Sequence, residues 1–200
     1  MKAARILGGK YVTEAEPYDL GVLSTFIGVD PETLERVVIM EPDVHVQGDE
    51  HYLDLFQRAV AQLSSLGPVA PRVIATYGRG QRVHAIVLED VEGLTLHRML
   101  ALLRARGEML PVEVAMAIVR ELVSLFRSPV RLQIGPSDVM ISPEGRVRAI
   151  PELVAIQARQ TVGAAVHFID APVAYFAPES VRGEGHTTAS DMYSLGVLLY

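Results

Sequence analysis

A single amphipathic helix set among strand-like runs is the feature that most narrows the fold of this chain. HYLDLFQRAVAQLSSL at 51–66 puts Leu53, Phe56, Val60, Leu63 and Leu66 on one stripe, and Gly67-Pro68 ends it. Before it, Tyr11–Ala15, Val22–Val29 and Glu35–Met40 are short and rich in β-branched and aromatic residues, with the turn signal DPET between the last two. After it, Arg72–Tyr77 and Val83–Leu88 read as a hairpin closed by GRGQR. From Glu89 onward the pattern becomes helical. LTLHRMLALLRARG is one amphipathic segment stopped by Gly107, and LPVEVAMAIVRELVSLF is a second, with Pro111 near its first turn and Glu113 behind it. SDVMIS and GRVRAI read as short strands around SPEG, and ASDMYSLGVLLY as a strongly apolar helix. Five strands with one inserted helix, followed by a mostly helical part, is an α+β order.

Composition restricts the function. Half of the 200 residues are hydrophobic and 21% are charged, the balance of a chain that buries a core. A net charge of −6 argues against nucleic acid or an anionic membrane as the main partner. Cysteine is absent, which removes disulfides, zinc ribbons and thiol catalysis. The start MKAARILGGKYV lacks the apolar core of a signal peptide, and no apolar run has membrane-spanning length, so a cytoplasmic location is expected. The six histidines fall in no metal-ligand spacing, and no serine sits in a nucleophile elbow. Lysine occurs only at Lys2 and Lys10.

The stretch AYFAPESVRGEGHTTASDMYSLGVLLY resembles the end of the activation segment and the following helix of eukaryotic-like (bacterial Hanks-type) serine/threonine protein kinases. Its Ala177-Pro178-Glu179 matches A-P-E, and Asp191 opens the matching helix. DPETLERVVIM resembles the lead into the V-A-I-K strand, IVLEDVEGLTLHRML the hinge, and RLQIGPSDVMISPEGRVRAI the catalytic loop with the strands behind it. The resemblance implies a bilobal fold, with an N-lobe over 1–88 and a partial C-lobe over 89–200, cut inside the helix after A-P-E.

Phosphoryl transfer is mostly positioning and electrostatics, so the resemblance also says which charges a working kinase would carry and where. The three glycines of the phosphate loop fall on Tyr18, Leu20 and Leu23, with only Gly21 nearby. The V-A-I-K lysine corresponds to Met40, the alanine beneath adenine to Val38, and the lysine's glutamate partner to Ala59. In the catalytic loop the base aspartate corresponds to Gln133 and the lysine to Gly135. Asp138 stands where the family has its metal-ligating asparagine, and a turn aspartate capping its own backbone is the simpler reading. The magnesium aspartate of D-F-G corresponds to Pro151, with Glu152 one place along and so on the opposite face. Asp191 resembles the aspartate that braces the catalytic loop; an N-cap role is the alternative, with Ser190 competing for it.

These replacements imply a catalytically degenerate domain, a pseudokinase, with no catalytic, cofactor-binding or metal-binding residue. It would act as a binding, scaffolding or regulatory module for a protein partner such as another kinase or signalling protein. An atypical active kinase, using Arg36 or Asp138 in displaced roles with ATP and magnesium, is the rival reading. An eroded fragment is disfavoured by the intact apolar periodicity.

Overall fold

The structure is a computed structural model that describes residues 6–8, 10–13, 18–19, 23–80, 82–124, 134–149, 173–182, 184 and 187–200. The chain divides into two compact units. The first holds the described residues up to Ser64 together with Pro71–Asp90. The second holds Ser65–Ala70, those from Val91 to 149, and those from 173 to Tyr200.

The first unit is an antiparallel sheet with one helix. Its strands are β1 (Ile6–Leu7), β2 (Tyr11–Thr13), β3 (Tyr18–Asp19), β4 (Leu23–Val29), β5 (Arg36–Pro42), β6 (Val73–Arg79) and β7 (Arg82–Glu89). They run in the order β1-β2-β4-β5-β7-β6, with β3 also on β4. Strand alternation sends Val37 and Ile39 of β5 to one face, where they bury with Tyr11, Phe26 and Val87. Met40 therefore belongs to the other face, opposite Thr25 on β4 and Ile86 on β7. The turn before β5 runs further than DPET. Asp30 N–H donates to Glu35 O at 2.9 Å, and Leu34 closes the loop in the left-handed region at φ 59°.

Helix α1 (Glu50–Ser65) buries Tyr52, Leu53, Phe56, Ala59, Val60 and Leu63, the stripe its 3.6-residue period requires. Asp49 Oδ1 accepts Tyr52 N–H at 3.1 Å, which satisfies one orphan donor of the first turn.

The second unit combines a small sheet with helices. Strands β8 (Leu94–Thr95), β9 (Val139–Ile141) and β10 (Val147–Ala149) pair in the order β10-β9-β8. Helices α2 (Leu96–Ala105), α3 (Val112–Val123), α4 (Pro178–Val181) and α5 (Thr188–Leu199) complete it. Leu100 of α2, Ile118 and Leu122 of α3, and Leu198 of α5 line one small cleft, where the helices pack together.

Three expectations are corrected here. Leu94 and Thr95 do not begin a helix: they pair with Ile141 and Met140, and Thr95 caps α2 by accepting Arg98 N–H at 3.1 Å. Gly93 makes this possible, because a Cβ there would come within 2.3 Å of the Ile141 carbonyl oxygen. Ser137 and Asp138 lie in a one-turn 3-10 helix, Pro136–Asp138, ahead of β9 rather than in the strand itself. The first sheet also has two further two-residue strands, β1 and β3, beyond the five expected.

Candidate nucleotide site

The positions singled out by sequence fall in both units, and each unit is taken by itself. In the first unit Met40 is 1% exposed and Ala59 is 3% exposed. A residue so enclosed at the end of β5 places a thioether, not a cation, where the resemblance expects the phosphate-pairing lysine. Thr25, the cross-strand neighbour of Met40, has a buried hydroxyl with no hydrogen-bond partner among the described residues. Val38 pairs with Ile27 and Leu88, so this face of the sheet is aliphatic where the resemblance places adenine.

The two basic residues nearest to hand in sequence are engaged elsewhere. Lys10 Nζ lies 2.9 Å from Asp30 Oδ2 and 3.1 Å from Glu32 Oε2. The hydrogen bond to Asp30, then that to Glu32, holds the Lys10 ammonium well above its ordinary pKa. The same Lys10 bond, helped by the Glu32 N–H, holds the Asp30 carboxyl below the usual carboxylate range. Arg36 Nε lies 3.1 Å from Asp90 Oδ2. Both cations serve the strand ends of the sheet.

Of the phosphate-loop positions, Leu23 is fully buried at the start of β4 and Tyr18 lies in β3, while Leu20 and Gly21 lie outside the described residues.

In the second unit, Gly135 and Asp138 are joined across one turn. Asp138 is 5% exposed, and its Oδ2 accepts the Gly135 N–H at 2.8 Å. Asp138 N–H returns to Gly135 O at 3.1 Å. This carboxylate fixes the backbone of its own turn. Gln133 and Pro151, with Glu152, lie outside the described residues.

Ala177, Pro178 and Glu179 open α4, with Ala177 fully buried and Pro178 at the first helical position, where its missing N–H costs nothing. Glu179 reaches α5: Ser190 Oγ donates to Glu179 Oε1 at 2.6 Å. Neither Asp191 nor Ser190 is the N-cap of α5, which overturns the alternative raised for Asp191 and leaves the bracing role that the resemblance implies. Thr187 holds that place, its hydroxyl accepting Ser190 N–H at 3.3 Å while Ser190 Oγ accepts Thr187 N–H at 3.0 Å. That reciprocal box puts Asp191 at the fourth helical position, where it is 1% exposed. A buried carboxylate in the first turn gains from the helix dipole, and so extensive a burial requires hydrogen-bonded company.

Among the described residues, no three His, Asp or Glu side chains come together as a metal-holding set. None of the described helices is long and apolar enough to cross a membrane.

No family model matches the chain. Among curated proteins it is 30% identical to the serine/threonine-protein kinase PknL of Mycobacterium bovis over 206 residues, covering 98% of this chain and 49% of that protein. It is 28% identical to the serine/threonine-protein kinase PrkC of Bacillus subtilis over 187 residues, 90% of this chain and 28% of that protein. A probable serine/threonine-protein kinase of Streptomyces coelicolor matches at 27% over 213 residues, 100% of this chain and 31% of that protein. The chain spans about half the length, or less, of the curated relatives it matches. Its homologues are bacterial serine/threonine kinases, and its mixed α+β architecture is consistent with a partial protein-kinase-like bilobal fold.

Proposed function

We propose that this chain, a relative of bacterial serine/threonine protein kinases, is a pseudokinase domain that works by binding rather than by phosphoryl transfer. The observation that carries the proposal is Met40: buried, uncharged, and placed on β5 where the resemblance puts the lysine that pairs with the α- and β-phosphates. Loss of that cation is matched by Ala59 in place of its glutamate. Losing both halves leaves no unpaired buried charge, so the fold carries no penalty for the change. Gln133 in place of the base cannot take a substrate proton at neutral pH, and Pro151 in place of the magnesium aspartate offers no ligand.

The rival reading, an atypical active kinase, needs Arg36 or Asp138 in new roles. The engagement of Arg36 with Asp90, and of Asp138 with the backbone of Gly135, favours the binding-module reading over it. On that reading ATP and magnesium are not cofactors, and the partner is a protein, such as another kinase or signalling protein in the cytoplasm. The division into an N-lobe over 1–88 and a C-lobe from 89 onward belongs to the same proposal.

The test is phosphoryl transfer by the full-length protein with labelled ATP and magnesium. No label should appear on the protein itself or on a generic protein substrate. Labelling that disappears on Asp138→Ala or Arg36→Met would establish the atypical kinase instead.

A further inference from the structure

Helix α3, the β9–β10 hairpin and the turn Gly67–Val69 enclose a groove of 460 Å³ in the second unit. Its floor is aliphatic: Ile118 of α3 and Val147 of β10 are nearly buried, while Val69, Val114 and Ile141 form the walls. Val114 is 42% exposed, an apolar side chain left in water at the groove mouth. The rim is cationic. Arg120, Arg146 and Arg148 line it with Glu121, and Glu144 lies beside Arg146, so three guanidiniums face two carboxylates, a local excess of positive charge on a chain whose net charge is −6.

The three arginines differ in how they are held. Arg148 is fixed: its guanidinium donates to the carbonyls of Pro68 and Ala70, the latter at 3.2 Å, and so joins the hairpin to the turn. Arg120 and Arg146 are loose. Arg120 lies 3.7 Å from Glu121, its own neighbour, and Arg146 lies 3.5 Å from Glu144, with both arginines largely exposed. Exposed pairs of that kind contribute little, so an incoming carboxylate can take either guanidinium at small cost. Glu144 also accepts the Ser142 hydroxyl at 2.8 Å, the first cause of its lowered pKa, with Arg146 a smaller one, so it keeps a partner if Arg146 turns to a ligand.

We propose that this groove docks a short acidic peptide segment of a partner protein, with aliphatic side chains on the floor and Asp or Glu carboxylates on Arg120 and Arg146. Charge complementarity selects this occupant. A neutral apolar segment would leave the cationic rim unused, and a basic one would be repelled. An aliphatic floor inside a polar, arginine-bearing rim is also the usual anatomy of a protein recognition site. The groove shares no residue with the positions that the resemblance assigns to phosphoryl transfer, so the inference goes beyond the pseudokinase reading and can succeed or fail apart from it.

The test uses an array of short synthetic peptides combining Leu or Ile with Asp or Glu, beside sequences in which Asn or Gln replaces the acids. It is probed with the full-length protein and with its Arg120→Glu/Arg146→Glu variant, whose folding is checked by its thermal melt. Acidic aliphatic peptides should bind and their neutral counterparts should not. The double variant should weaken binding about tenfold or more, and added salt should weaken it in the parent. Backbone amide shifts on adding the best peptide should concentrate at 114–121 and 141–148. Three results would overturn the proposal: no acidic aliphatic peptide binding above the neutral controls, binding untouched by the charge reversal, or arginine-dependent binding to anionic lipid vesicles in its place.

Discussion

Ser190 Oγ donates to Glu179 Oε1 at 2.6 Å and accepts Thr187 N–H at 3.0 Å, so one hydroxyl links the A-P-E turn to the capping box of α5. The seryl side chain is fully buried.

Ser190→Ala should therefore cost more than an ordinary cap. Losing one partner of a buried charged hydrogen bond adds to the loss of the box, for a total of about 2–3 kcal/mol. Thr187→Ala, which loses only the cap, should cost about 1 kcal/mol. Urea unfolding of both variants checks the order. Equal small effects would mean that Glu179 is held by other contacts alone.

Met40→Lys should not create kinase activity and should destabilise the fold. Its ammonium would replace a thioether that is 1% exposed, with Ala59 where the family has a glutamate and only the Thr25 hydroxyl opposite on β4. An unpaired buried charge of this kind costs several kcal/mol. Denaturant titration measures it. A variant as stable as the parent would show that this part of the sheet is wetter than its burial indicates.

The sequence made some of this legible and hid the rest, for physical reasons. The stripe of α1 is readable because Leu53, Phe56, Val60 and Leu63 repeat with the helical period over about three turns. Strands β1 and β3 are not, since two residues display no period. Leu94-Thr95 reads as helix in sequence because its apolar spacing runs on into α2, and only pairing with β9 makes it a strand. At α5 Asp191 and Ser190 are the polar residues that stand out as N-cap candidates. The better signal was Thr187 with Ser190 three residues later, a capping box in which a serine does the work of the usual glutamate. The turn role of Asp138 was legible from its place after Gly-Pro-Ser. The arginine-rimmed groove was not, because Arg148 and Pro68 are eighty positions apart and no local pattern joins them.

The Lys10–Asp30 pair sets an acid-side dependence. Asp30 has a folded pKa below its unfolded value, held down first by Lys10, so its contribution to stability is complete above the ordinary carboxylate range. It is lost as pH falls through the lowered folded value. Lys10, raised in the folded state, contributes throughout the acid and neutral range. Asp30→Asn should thus melt below the parent at neutral pH, and the gap should narrow as pH falls past 4, the ordinary range for a carboxylate. A gap that is constant with pH would mean that the Asp30 side chain acts only through the turn hydrogen bond it accepts from the Glu32 N–H.

The central claim is that the nucleotide machinery is gone while the fold stays. Thermal melting of the full-length protein with and without millimolar ATP and magnesium tests it most directly. A ligand at a hundred times its dissociation constant stabilises by about 2.7 kcal/mol, which a melt resolves easily. With Met40 in place of the lysine, the account predicts coincident melting curves. A magnesium-dependent rise in melting temperature with ATP would contradict it.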